Sequence, residues 1–414
     1  MSAAEAADAL GVTRSSLYAY VSRGYVRSEA RAGRSRERRY SREDVEALNR
    51  RQEERRDPEK AARRALQWGV PVLESAITLI ANGRLYYRGH EATGLARSHS
   101  IAQVASLVWT GSFDSPALES HLRPVAGARG AEGMPFVSRA QSMLAIASAG
   151  DPVAFDLRPH AVAQSGWRIL NLLTSVAVRS PDPADTIDLT LARGWGNASS
   201  AAVIRAALIL SADHELNVSS FTARCVASAG ANPYDVVIAG LAAVEGTRHG
   251  GISIRVEALL RTLRRTRNIR AALVEQLRRG QAIDGFGHPL YRDADPRALA
   301  LMQLLRERHP RSSELSFAEE VARAAGSLLD QRPTIDFALA VLSRVLRLPE
   351  GSALTLFAIG RTIGWIGHAV EQYAQPGVIR PRARYVGSGP STGAARSAVL
   401  DDPGAPNTRR SRPS

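Results

Sequence analysis

From about Val70 to Val386 the apolar residues recur at three- and four-residue intervals, as in Ile101-x-x-Val104-Ala105-x-Leu107-Val108-Trp109, and Gly, Pro and Asp separate the runs. This spacing puts the apolar side chains on one face of a helix, and a chain that repeats it so often must bury those faces against other helices. Strands alternating with helices are not evident, which argues against a doubly wound α/β sheet. No fixed period stands out, which argues against a solenoid. The pattern predicts an all-α fold. At 414 residues the chain exceeds one ordinary domain and can bury a large core.

The first 51 residues carry a different pattern. Ala3 to Leu10 reads as a short helix and Gly11-Val12 as a turn; Thr13 is an N-cap opening a second helix that Gly24 ends. Between Arg23 and Arg42 lie eight arginines against Glu29 and Glu37, and Ser41 caps a third helix, Arg42 to Arg51. The stretch Glu5-Ala6-Ala7-x-x-Leu10-Gly11-Val12-x-x-x-x-Leu17-Tyr18 resembles the winged helix-turn-helix of MerR and excisionase-like proteins. The resemblance implies a second helix in the major groove, with Arg14, Ser15 and Tyr18 facing nucleic acid, and a basic wing with Arg34, Arg36 and Arg38 on phosphates. Such a module can also serve as an oligomerisation or protein-docking element, or stand as a relic. Residues 52–69 read as a charged linker helix, 70–387 as the main domain, and 388–414, rich in Ser, Gly, Pro, Ala and Arg, as a disordered tail.

Composition removes several function classes. The net charge is +14, and Lys60 is the sole lysine among 54 Lys and Arg residues. It sits in Glu53-Glu54-Arg55-Arg56-Asp57-Pro58-Glu59-Lys60, far from any Gly-rich loop, so neither a Walker A loop nor a Schiff-base enzyme is expected. Arginine instead suits bidentate recognition of carboxylates and phosphates. The lone Cys225 excludes an internal disulfide and a cysteine-rich metal site. With Glu5 and Asp8 where a signal peptide would need a basic and then an apolar stretch, the chain reads as cytoplasmic, with no membrane partner.

Three histidines stand in unusual settings: His214 in Asp213-His214-Glu215-Leu216-Asn217, His249 in Gly246-Thr247-Arg248-His249-Gly250-Gly251, and His288 in Gly285-Phe286-Gly287-His288-Pro289-Leu290-Tyr291. Asp295 can cap a helix with Pro296 in its first turn, and Asp336 follows Pro333-Thr334-Ile335 at the start of another, where a helix N-terminus favours an ionised carboxylate. Singly, each fits a turn or a satisfied core position. No His-Glu-x-x-His or comparable zinc spacing exists, Gly285 and Gly287 lack a dinucleotide fingerprint's third glycine, and no Gly-x-Ser-x-Gly elbow is present outside the tail.

In order and spacing these segments resemble citrate synthase. The resemblance rests on Asp213 to Ser219, His249-Gly250-Gly251, Gly285 to His288 with Asp295-Pro296-Arg297, Ile335-Asp336, Leu356 to Arg361 and Ile379 to Ala383. Upstream, Glu74 to Ile77 and Tyr87 to His90 add the N-terminal signature. It implies a two-lobed helical domain that condenses acetyl-CoA with oxaloacetate, acetyl-CoA being a co-substrate and no cofactor or metal being needed. Asp336 would be the base, His249 would stabilise the enol and His288 would polarise the ketone. His214, Arg297, Phe357, Arg361 and Arg380 would bind substrate, Arg380 across a homodimer interface. Propionyl-CoA, giving 2-methylcitrate, is the same chemistry. The sequence departs from many members after His249-Gly250-Gly251, where Ile252-Ser253-Ile254-Arg255 stands, and at Pro289. A DNA-binding regulator whose main domain senses an acyl-CoA or dicarboxylate is the alternative.

Overall fold

The computed structural model describes residues 1–30, 38–42, 44, 45, 48, 73–114, 133–178 and 186–389. The wing tip with Arg34 and Arg36, most of the third N-terminal helix, the linker helix over 52–69 and the tail from 390 lie outside the described residues.

In the N-terminal unit, α1 (Ala3–Ala9) starts in a reciprocal cap between Ser2 and Glu5, and α2 (Arg14–Ser22) starts on Thr13, whose side chain accepts from Ser16 N. β1 (Ser28–Ala30) pairs antiparallel with β2 (Arg38–Tyr40), as a wing requires. Ala6, Leu10, Leu17, Val26, Tyr40 and Val45 close a small core of their own. Asp44 accepts from Arg27 N at 2.7 Å and grips its guanidinium at 2.9 and 2.8 Å, fixing the hairpin's base.

The main domain opens with strands, which corrects the reading of this stretch as helix. β3 (Thr78–Ala81), β4 (Arg84–Tyr87) and β5 (His90–Glu91) form an antiparallel meander. Asn82 and Gly83 both have positive φ, +52° and +72°, the geometry of a tight two-residue hairpin turn. Leu85 and Tyr87 alternate inward from β4.

Among the described residues the α-helices that follow are α3 (Ala92–Ser98), α4 (Ile101–Thr110), α5 (Phe136–Ala149), α6 (Pro159–Ala177), α7 (Ile187–Gly194), α8 (Ala201–Leu210), α9 (Val218–Ser228), α10 (Pro233–Val244), α11 (Gly251–Leu263), α12 (Ile269–Arg278), α13 (Pro296–Arg308), α14 (Ser313–Leu329), α15 (Ile335–Val345) and α16 (Ser352–Tyr373). α16 is buried along nearly its whole length and packs against α6, α8, α9, α10 and α15. Among the described residues it alone is long and apolar enough to cross a membrane, but that surface is covered by the domain itself. Glu257 caps its start in trans, accepting from Gly351 N at 3.0 Å and Ala353 N at 3.1 Å.

Two glycines let α16 meet the 208–214 segment backbone to backbone. A Cβ on Gly360 would lie 2.5 Å from Leu208 O, and one on Gly364 would lie 2.5 Å from Ala212 O. Gly364 N donates to Ala212 O at 3.0 Å. This contact sets where the chain turns into His214.

Candidate active site

His214 follows α8 in a turn completed by Glu215, which is held at φ +52°. The turn is tied down from three sides. The buried Tyr87 hydroxyl donates to backbone carbonyls there, Ile209 O at 3.1 Å and Asp213 O at 3.2 Å among them. Buried Asp213 accepts from Thr78 Oγ1 at 2.6 Å, and His368 Nε2 lies 3.3 Å from its other oxygen. His214 itself is buried, with Nε2 2.9 Å from the Tyr291 hydroxyl. Burial, then the Arg297 charge, holds its pKa well below the ordinary histidine value, so the ring is neutral.

His249 sits in the turn before α11, its amide donating to Gly246 O at 2.9 Å. Gly250 lies so close to Val244 O that a Cβ would approach to 2.6 Å. The ring's Nε2 is 2.8 Å from Ser219 Oγ, which accepts from the Trp365 indole at 3.1 Å. The single Ser219 hydroxyl hydrogen has two acceptors in reach, Asn217 Oδ1 at 2.8 Å and His249 Nε2. Directed at His249, it leaves the ring's proton on Nδ1. Burial, then Arg361, lowers the His249 pKa to about 3.

His288 lies on a loop laid along the segment that leads into α15. Gly287 N donates to Arg332 O at 2.9 Å and Thr334 N to Gly285 O at 2.8 Å, so the register of this loop is fixed against Asp336. Its Nδ1 accepts from Leu290 N at 3.2 Å, which assigns the neutral ring's proton to Nε2. Burial, then Arg297, lowers its pKa to about 4. Asp336, in the first turn of α15, accepts from Ser253 Oγ at 2.7 Å. Burial raises its pKa above the ordinary aspartate value, and the Ser253 hydrogen bond opposes that rise without cancelling it.

Two buried arginines complete the cluster. Arg297 uses Nε and Nη2 on Asp295, at 2.9 and 2.8 Å, while Asp295 also accepts from Ile335 N at 3.0 Å. Burial alone would depress the Arg297 pKa, but the Asp295 carboxylate outweighs it and the net shift is upward. Arg361 anchors Nε on Ser211 O at 2.8 Å and stacks over the Phe357 ring at 4.7 Å. Burial lowers its pKa to about 10, leaving it charged at neutral pH. Phe357 in turn meets the His249 ring edge-on at 5.7 Å.

The structure thus gathers His214, His249, His288, Arg297, Asp336, Phe357 and Arg361 into one neighbourhood: ring contacts join His214 to His288 and Phe357 to both His249 and Arg361, and the Arg297 and Arg361 charges act on His214, His288 and Asp336. His214 and His288 are 4.8 Å apart between ring centres, and Tyr291, with Arg297 over its face at 5.8 Å, bridges them to Asp295 and α15. Neutral imidazoles offer donors, a carboxylate of raised basicity offers a proton acceptor, and paired guanidinium groups offer anion sites. Arg380 is not brought there: it is exposed on the extended segment after α16. In the N-terminal unit Arg14, Ser15, Tyr18 and Arg38 are exposed, Tyr18 by 53%. Sequence reasoning missed Tyr291, Ser219 and Ser253. Tyr291 could have been found, since it lies three residues beyond His288 on the same loop. Among the described residues no group of three or more His, Cys, Asp or Glu side chains forms a metal cluster.

Comparison with known proteins gives matches to two family models. The citrate synthase C-terminal domain matches residues 168–382, and the MerR HTH family regulatory protein matches residues 1–53. A protein named putative citrate synthase 2 from Mycobacterium tuberculosis is 35% identical over 188 residues, which is 44% of this chain and 50% of that protein. The chain thus matches about half the length of this relative. Citrate synthase of a Synechocystis strain is 28% identical over 77% of this chain and 89% of its own. Among solved structures, citrate synthase from Thermotoga maritima superposes with a TM-score of 0.67 at 24% identity, covering 77% of this chain and 94% of that one. A Thermoplasma acidophilum citrate synthase, solved as a ternary complex with carboxymethyl coenzyme A and oxaloacetate, gives 0.67 at 21% identity over 81% and 97%.

Proposed function

The chain belongs to the citrate synthase family, and from that premise we propose that it condenses an acyl-CoA with a 2-oxoacid, most simply acetyl-CoA with oxaloacetate to citrate and CoA. What supports this reading above all is the convergence of two neutral histidines, a carboxylate of raised pKa and two buried arginines. In this reading the Asp336 carboxylate takes a proton from the acyl α-carbon. The thioester oxygen, now enolic, is stabilised by a hydrogen bond from His249 Nδ1, the tautomer that Ser219 selects when it donates to Nε2. The enol carbon bonds to the ketone carbon of the 2-oxoacid, and His288 Nε2–H polarises the ketone oxygen. Hydrolysis of the resulting thioester releases CoA. Arg297, Arg361 and His214 hold the carboxylates, and Arg380 serves the site of a partner in a homodimer.

Thiol release from acetyl-CoA by the purified chain, with and without oxaloacetate, tests the proposal. Oxaloacetate-dependent release supports it. Silence with both acetyl-CoA and propionyl-CoA, in a folded protein, rejects it. The ratio of kcat/KM for the two thioesters sets the acyl preference, since one methylene in a pocket is worth about 1–3 kcal/mol.

The exposed Arg14, Ser15 and Tyr18 on one helix of a folded N-terminal unit favour a second role, DNA binding. A regulator that senses acyl-CoA or a dicarboxylate would show a salt-dependent gel shift that weakens when Arg14 and Arg38 are changed to Gln. An unchanged shift in that variant counts against this role.

A further inference from the structure

α11 begins two residues after His249, and its fifth residue, Arg255, turns back across the site's rim. Its guanidinium makes three hydrogen bonds: Nη1 donates to Thr247 O, while Nε and Nη2 donate to the two Asp284 oxygens, both at 2.7 Å. Thr247 precedes His249 by two residues, and Asp284 stands at the head of the loop that ends in His288. That loop is itself laid along Arg332 to Thr334, ahead of Asp336, through the Gly287–Arg332 and Thr334–Gly285 backbone bonds. One side chain therefore ties the His249 turn to the His288 loop and, through that loop, to the start of α15.

The chemistry of this tie is specific to arginine. A planar fork can satisfy a carboxylate with two parallel hydrogen bonds while its third nitrogen reaches a carbonyl at a fixed angle, which an ammonium cannot do. The Arg255 side chain remains 42% exposed and that of Asp284 23%, so the pair adds little to global stability. Its effect falls on the relative placement of two loops.

We infer that Arg255 is a positioning residue for the condensation, clamping the His249 turn to the His288 loop without itself touching substrate. The inference rests on the reading of His249 and His288 as catalytic groups. A clamp that fails by an ångström misplaces two donors at once, and misplacement of that size costs about 100-fold in rate.

The test uses the full chain with Arg255→Gln, Arg255→Lys, Asp284→Asn and the double variant Arg255→Gln/Asp284→Asn. Two readouts are taken: steady-state kinetics, and amide hydrogen exchange in peptides covering 245–252 and 283–291. The clamp requires faster exchange in both segments in each variant. It also requires kcat about 10- to 100-fold lower, with the 2-oxoacid KM changed by less than about threefold. The double variant should be no worse than the poorer single one, because both remove the same contact. Unchanged exchange in either segment, additive losses, or full rescue by lysine would overturn the inference. A wild-type chain that releases no thiol rejects the proposed reaction instead, and the exchange data still decide whether the clamp exists.

Discussion

Ser253 Oγ donates to Asp336 Oδ1 across 2.7 Å, joining the third residue of α11 to the second residue of α15. Two opposing effects meet at this carboxylate. Burial disfavours its charge and raises its pKa, while the serine hydrogen bond stabilises the charge and pulls the pKa back. Burial wins, so Asp336 is a stronger base than an exposed aspartate. The serine also fixes which oxygen remains to face a substrate.

Changing Ser253 to Ala removes a donor to the ionised form, so the Asp336 pKa rises further. The base works only when deprotonated, and activity is lost as pH falls through that pKa. The acid limb of kcat/KM against pH therefore moves to higher pH in the variant. The hydrogen bond lost is the one to Asp336, so the pKa values of His249 and His288, about 3 and about 4, should not follow. A limb that stays in place, or moves to lower pH, removes Ser253 from control of the base.

Asp336→Asn keeps the shape and removes the charge. Loss of a general base costs about 100- to 10,000-fold in kcat. Stability should move the other way. A carboxyl whose folded pKa is raised stabilises the fold only while protonated and becomes a cost once pH exceeds its folded pKa. The variant should therefore melt above wild type at pH 7, with the gap closing as pH falls and Asp336 protonates in the wild type. Calorimetry at two pH values checks this, and a variant that melts lower at pH 7 contradicts the burial argument.

The elements that hold the cluster were legible where local chemistry dictates them. Asp295 with Pro296 marks the start of α13, Thr334 to Asp336 marks that of α15, and the glycines around His249 and His288 mark the turns. The β3–β4 hairpin carried a readable signal in Asn82-Gly83, but its four-residue strands are too short to outweigh the helical pattern around them. Ser219 and Ser253 were not legible for another reason. Their partners Trp365 and Asp336 lie 146 and 83 residues away, and no local spacing encodes such contacts. Arg361 stands out on sequence only through the resemblance of the Leu356 to Arg361 segment, since its helical spacing alone fits a solvated face. Only packing shows it buried at the 1% level, its neighbours Gly360 and Gly364 pressed on the His214 segment.

Arg361→Lys keeps a positive charge but loses the fork. The Ser211 carbonyl and the Phe357 face locate the guanidinium, and a lysine cannot meet both while reaching a carboxylate. Loss of one charge-assisted hydrogen bond, about 1.5–3 kcal/mol, raises the KM for the 2-oxoacid by about 10- to 150-fold. The acyl-CoA KM should change far less. Equal KM values for the 2-oxoacid in variant and wild type would remove Arg361 from the carboxylate site.

Arg380 poses a different question, because it is exposed on the segment after α16, where Ile379 N donates to Ser228 Oγ at 3.0 Å. If it completes a partner's site, two inactive chains can rescue each other. A chain with Asp336→Asn still lends its Arg380, and a chain with Arg380→Gln still holds a complete set of its own groups. A mixed dimer then has one site that lacks both residues and one site that lacks neither. Random pairing makes half the dimers mixed, so about a quarter of all sites regain the wild-type rate. If Arg380 serves its own chain, or the chain acts as a monomer, each site keeps one defect and co-refolding gains nothing over the average of the parents. Thiol release from the co-refolded mixture, set against each parent alone, separates these cases in one measurement.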